Sequence, residues 1–211
     1  MSYVGDYWAR QVGKRIGVPV ASVTALKALA ADELFDGCLY SVAGQMWRYS
    51  LSSAVTGDDK LVATPDNTST GRFLRCPGKV TLEMDFTYAT ADAAILYTIP
   101  TGALFRPMFA AWDIAADMTG GSSSAIGVSS SNVTGLTTKG DILGGGTGDV
   151  AAALTLALSP TPGTVGAVMT SANRLLFGAA KTFRFDRITS AFTAGSGKVL
   201  VTGDLIRNAG A

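Results

Sequence analysis

The segment KVTLEMDFTY, residues 79–88, alternates without a fault. Val80, Leu82, Met84, Phe86 and Tyr88 fall on one side, and Thr81, Glu83, Asp85 and Thr87 on the other. A period of two over this length fits a half-buried antiparallel strand and not a helix. It commits the chain after Pro77-Gly78 to a β fold. AAILYTIP, ALFRPMFAAWDI, AIGVSSS, RLLFGAAKTFRFDRI and KVLVTGDLIRN follow as further strand candidates. Pro107 demotes the middle of its run to an edge or a bulge. Phe183 and Phe185 alternate with Arg184 and Asp186. VAAALTLAL fits a strand or a helix, and the Gly/Ser/Thr-rich residues 118–149 carry enough apolar positions to suggest ordered turns. No strand–helix alternation occurs. The expectation is a mainly β chain, with an antiparallel β-sandwich or jelly-roll-like domain over residues 78–211.

Before Pro77 the pattern differs. SVTALKALAADELFDG reads as a helix of about three turns. Ser22 or Thr24 can cap it, Val23, Leu26, Ala30 and Leu34 share a face, and Gly37 ends it. CLYSV, MWRYSL, KLVAT and GRFLRC then read as short strands, with turns at Ala43-Gly44, at residues 56–59 and at residues 65–67. They form a small meander that needs a cover. Leu26 and Leu29 of the helix can supply it, over a core of Tyr40, Trp47, Tyr49 and Phe73. The alternation of these aromatics with Arg48 and Arg72 turns them inward. Helix and meander make one module, residues 22–77. Residues 1–21 show no clean period and read as an N-terminal arm. Its aromatics, Tyr3, Tyr7 and Trp8, are candidate partner contacts, or pack on the protein itself.

The chain has no histidine, which removes the usual general base, metal ligand and pH switch. A Ser-His-Asp or Cys-His arrangement is therefore impossible within the chain. Cys38 and Cys76 form no CxxC, so a zinc site is not expected. They could close the segment between them with a disulfide, but a protein assembled in a reducing compartment is expected to keep two thiols. Net charge is +1, from 17 basic and 16 acidic residues, with no basic run, so nucleic acid is not an expected partner. No apolar run reaches the roughly 18 residues of a membrane span, and the first residues lack the apolar core of a signal peptide. Charged residues make up only 16% of the chain, against a usual value of roughly 25%. Such a surface can be covered in an assembly without desolvating many ions.

The tempting motifs fail on spacing. GGGTGD has Asp149 where a dinucleotide loop needs glycine, and AGSGKV has Val199 where a phosphate loop needs Ser or Thr. The Gly-Ser-Gly of the latter reads as a hairpin turn. Asp58-Asp59 is too small a set for calcium. Glu83 and Asp85 share a strand face with nothing to tune either acid. No catalytic, cofactor or metal residue is assigned, and the chain is not expected to be an enzyme.

The stretch ALKALAADELFDGCLYSVAGQMWRYSLSSAVTGDDKLVATPDNTSTGRFLRC combines several spaced features. These are Leu-Lys-Ala-Leu on a helix, Asp36-Gly37, Tyr40, Trp47-Arg48-Tyr49, Asp58-Asp59, Pro65 and Gly71-Arg72-Phe73. In this it resembles a module near the N-termini of fibre, spike and capsid-associated proteins of tailed bacteriophages. Phe73 stands where that pattern has Trp. The resemblance covers about residues 22–77 and implies a non-enzymatic virion structural protein, assembled in the host cytoplasm. A receptor-binding fibre would be expected to continue into a long shaft. The leading expectation is thus a capsid decoration (cement) protein that binds the major capsid protein or another virion protein, as a homo-oligomer and by analogy a trimer. A tail-fibre or head-fibre adaptor and a carbohydrate-binding sandwich are the alternatives. The last would use an aromatic such as Trp112 against sugar rings.

Overall fold

A computed structural model describes residues 17–120, 126–130, 140–144, 161–162, 176–187 and 192–208. The chain is mainly β and divides into two compact units. The first comprises Met1–Pro77, Pro100–Ala103 and Ile206–Ala211, and the second Gly78–Ile99 and Leu104–Leu205. The change falls at Pro77-Gly78, but two later segments of the stretch 78–211 belong to the first unit.

In the first unit, β1 (Val18–Val20), β2 (Leu39–Val42), β3 (Gln45–Ser50), β4 (Val62–Ala63) and β5 (Arg72–Arg75) form a sheet in the order β1-β2-β3-β5-β4. This is not the simple meander expected, because β5 lies between β3 and β4. Nor does the arm extend to residue 21. Val18–Val20 pairs in parallel with β2, Val18 opposite Tyr40 and Val20 opposite Val42. A parallel pair needs a crossover, which the helix between the two strands provides. Pro19 is tolerated because β1 is an edge strand. Tyr3, Tyr7 and Trp8 lie outside the described residues.

The helix α1 spans only Val23–Lys27 and is followed by a single 3-10 turn, Ala31–Glu33. Ser22 caps its start, the hydroxyl accepting from the Ala25 amide at 3.1 Å. Its length falls short of the expected three turns because a loop takes its last carbonyls. The Asp66 amide donates to the Lys27 carbonyl at 2.8 Å, and the Asn67 side-chain amide donates to those of Ala28 and Leu29 at 2.9 and 3.0 Å. Those acceptors are then closed to a further helical turn. Leu26, Tyr40, Trp47, Tyr49 and Phe73 are buried in one cluster, with Leu29 partly buried against it. Phe73 meets Tyr40 edge-on at 5.4 Å and Tyr49 at 5.3 Å.

In the second unit, β6 (Gly78–Thr87), β8 (Ala103–Thr119), β10 (Thr161–Pro162) and β12 (Ala194–Asn208, up to Leu205) form one sheet, ordered β10-β8-β12-β6. The other sheet is β7-β11-β9, from β7 (Ile95–Thr98), β9 (Ile126–Ser130) and β11 (Thr182–Arg187). Rings from the two sheets meet face to face: Phe86 stacks on Phe185 at 5.5 Å, and Phe105 meets Phe183 edge-on at 6.4 Å. This is a sandwich core.

Val80, Leu82, Met84 and Phe86 are buried as their alternation demands. Tyr88 is not; it is 44% exposed, at the end of the ladder, where its amide donates to the Gly195 carbonyl at 2.9 Å and a turn closes between Thr87 and Thr90. The inward side of β8 moves from odd positions to even ones between Pro107 and Ala110, leaving Phe109 exposed, the pattern of a bulge. Gly195-Ser196-Gly197 is not a hairpin turn. It lies inside β12, with Gly197 opposite Phe86. Its glycines serve close approach: a Cβ on Gly197 would come 2.5 Å from the Asp113 carbonyl oxygen of β8. Asp186 is buried as well, despite alternating with inward phenylalanines. It accepts from the Ser129 hydroxyl at 2.9 Å and the Gly140 amide at 2.8 Å. The segments at residues 131–139, 145–160 and 163–175, which include VAAALTLAL and most of GGGTGD, lie outside the described residues.

Candidate functional site

The spaced residues of the first unit hold its fold. The Lys27 ammonium pairs with the Asp59 carboxylate at 3.0 Å, which raises the Lys27 pKa above its ordinary value. Asp58 is spent on its own loop, one oxygen accepting from the amides of Lys60, Leu61 and Val62 at 3.0, 2.8 and 2.7 Å. Neither acid is thus held ready for a cation. Gly71 has a φ of +79° and lies beneath the Tyr49 ring, where a side chain would collide with it. Arg72 closes the strand end, its Nε donating to the Val55 carbonyl at 2.6 Å. Tyr40 donates its hydroxyl to the Glu33 carbonyl at 2.8 Å, and burial pushes its ionisation far above the ordinary tyrosine value. This constellation is structural: a sheet, a helix and two loops locked to one another.

A cleft lies on the other face of that sheet. β3 turns Trp47 and Tyr49 inward and Arg48 outward. Cross-strand pairing sets Arg48 opposite Leu74, and directly paired residues share a face. The Cys76 amide extends the ladder to the Met46 carbonyl at 2.8 Å. Ile206, Arg207 and Asn208 complete a cleft of about 320 Å³ with Arg48, Leu74, Arg75, Cys76 and Pro77. It lies wholly within the first unit. Asn208 is buried and braces it, its amide donating to the carbonyls of Leu61 at 2.7 Å and Arg75 at 3.1 Å. Burial raises the Cys76 thiol above its ordinary pKa, while the Arg48 guanidinium opposes this by favouring a thiolate. Cys38 and Cys76 form no disulfide, Cys38 being buried.

No protein-family model, no curated protein and no solved structure matches the chain.

Other candidates offer less. Trp112 is fully buried and meets Phe86 edge-on at 5.3 Å, so it presents no ring face to a sugar. Glu83 pairs with Lys198 at 2.8 Å on the open face of the sandwich. Asp141 is buried, accepting from the Ser130 amide and hydroxyl, both at 2.7 Å. Burial, reinforced by the nearby Asp186 charge, outweighs those bonds and raises it to about 6. Asp141 thus ties its turn to β9. Among the described residues no group of three or more His, Cys, Asp or Glu could hold a metal ion, and no helix is long and apolar enough to cross a membrane.

The cleft was not singled out from the sequence. Its one local signal was the outward alternation of Arg48 between Trp47 and Tyr49. Arg207 and Asn208 reach it only through the tertiary fold.

Proposed function

We propose that this protein is a non-enzymatic structural component of a tailed-bacteriophage virion, and specifically a capsid decoration protein that binds and stabilises the head shell. The observation that carries this reading is the first unit. The residues resembling a virion module form one interlocked set, with Lys27 on Asp59, Tyr49 over Gly71 and Phe73 between Tyr40 and Tyr49. A motif whose spacing follows from a fold is better evidence of a shared module than one of scattered surface residues. The low content of charged side chains suits a surface covered in an assembly. Display on a symmetric shell lets modest contacts suffice, because each bound subunit raises the effective concentration of its neighbours' contacts. A trimer about a capsomer junction is the proposed oligomer.

The test is the copy number of the chain in purified particles, by quantitative mass spectrometry against the major capsid protein. Hundreds of copies support decoration. A handful per particle replaces it with a tail-fibre or head-fibre adaptor anchored by the same module, and absence from particles removes both. Deleting residues 1–16, which leaves β1 intact, should reduce occupancy if the aromatic arm is the anchor.

A further inference from the structure

The cleft of the first unit gathers Arg48, Arg75 and Arg207, and among the described residues no carboxylate lines it. In a chain of net charge +1 this is a marked local excess of positive charge. Arg75 is engaged, its guanidinium donating to the Lys60 carbonyl at 3.2 Å. The guanidinium groups of Arg48 and Arg207 are exposed and make no hydrogen bond or salt bridge among the described residues. Guanidinium groups grouped without a counter-charge repel one another, and a planar oxyanion taken in two-pronged fashion relieves that.

The remaining lining narrows the ligand. Leu74 is buried at its floor, while the apolar Pro77 and Ile206 are exposed, Ile206 to 43% beside Arg207. A free inorganic ion would leave Ile206 wet. A carboxylate carried on a chain with an apolar neighbour would cover it. A volume of about 320 Å³ is at the small end for ligand sites and suits one or two side chains.

We propose that this cleft docks an acidic peptide segment of a partner protein. The guanidinium groups of Arg48 and Arg207 take an Asp or Glu carboxylate, and an adjoining apolar side chain packs on Pro77 and Ile206. This goes beyond the virion reading and does not depend on it, since it specifies the partner's chemistry and not its location.

The experiment uses the full chain and a fluorescein-labelled, capped peptide carrying an Asp-Glu pair between two leucines, followed by anisotropy. Saturable binding is expected, weakening as salt rises. It should weaken by about tenfold or more when the acids become Asn and Gln, or when the protein carries Arg48→Gln with Arg207→Gln. Both substituted side chains are exposed, so thermal unfolding should not change. Lys79→Gln, an exposed charge in the second unit, controls for net charge and should leave binding intact. The proposal is overturned if the peptide does not bind up to millimolar concentration, if the neutral peptide binds equally, or if Lys79→Gln weakens binding as much as the arginine changes. Inorganic phosphate or an oligothymidine binding more tightly than the peptide would overturn it too, in favour of phosphate recognition.

Discussion

The side-chain amide of Asn208 donates to the Leu61 carbonyl at 2.7 Å, across 147 positions of sequence. The same nitrogen reaches the Arg75 carbonyl at 3.1 Å. One side chain from the last strand thus ties β5 to the residue before β4. Asn208→Ala removes both donors inside a buried site and should destabilise the first unit by about 1–3 kcal/mol. Denaturant unfolding measures the loss, and amide exchange should place the faster opening at residues 61–63 and 72–76. Unchanged exchange there would show that the brace is idle.

Gly71→Ala should be costlier than its single added carbon suggests. The left-handed backbone disfavours any Cβ by about 1–2 kcal/mol, and overpacking against the Tyr49 ring adds about 1–3 kcal/mol. A thermal melt of the variant should fall well below that of the parent, with the near-ultraviolet tyrosine and tryptophan signal altered.

Asp141 gives stability a pH dependence of unusual sign. Its carboxyl is raised from 3.8 to about 6 by burial, with the Asp186 charge adding to it and the Ser130 bonds opposing it. Between these values the folded chain holds a proton that the unfolded chain has released. Stability from this group is therefore highest below pH 4 and is lost as pH rises through about 6. The displacement corresponds to roughly 3 kcal/mol. Urea unfolding across this range should show the parent losing stability relative to Asp141→Asn as pH rises. A constant difference between the two would contradict the assignment.

The two thiols should differ in reactivity. Cys38 is buried in the first core and should react with iodoacetamide only on unfolding. Cys76 is partly open but held above its ordinary pKa by burial, so it should alkylate more slowly than a free peptide thiol at neutral pH. Removing the Arg48 charge should slow it further. Mass spectrometry of timed alkylation distinguishes the sites.

Much of this fold was legible because the determinants are local. The alternation of Val80 to Phe86 marks β6, and the aromatics of β3 point inward as their spacing with Arg48 requires. The misreadings occur where distant residues decide. The helical period past Lys27 was real, but Asp66 and Asn67 take the carbonyls that would have continued it. Glycines at 195 and 197 resemble a turn until β8 is seen to crowd them. Val18–Val20 is too short, and carries a proline, to signal a strand without its partner. Asp186 obeys the alternation but is buried, bonded by the Gly140 amide and the Ser129 hydroxyl, which no periodicity connects to it. The cleft is the extreme case, because its arginines come from three strands.

The last strand also fixes an order of events. The first unit contains the N-terminal sheet, yet its brace arrives with Asn208. A ribosome adding about 5–20 residues per second needs roughly seven to thirty seconds to go from Leu61 to that residue. The earliest part of the protein to be made must therefore wait, without its brace and with its arginine cleft incomplete, until synthesis of the later sandwich is nearly done.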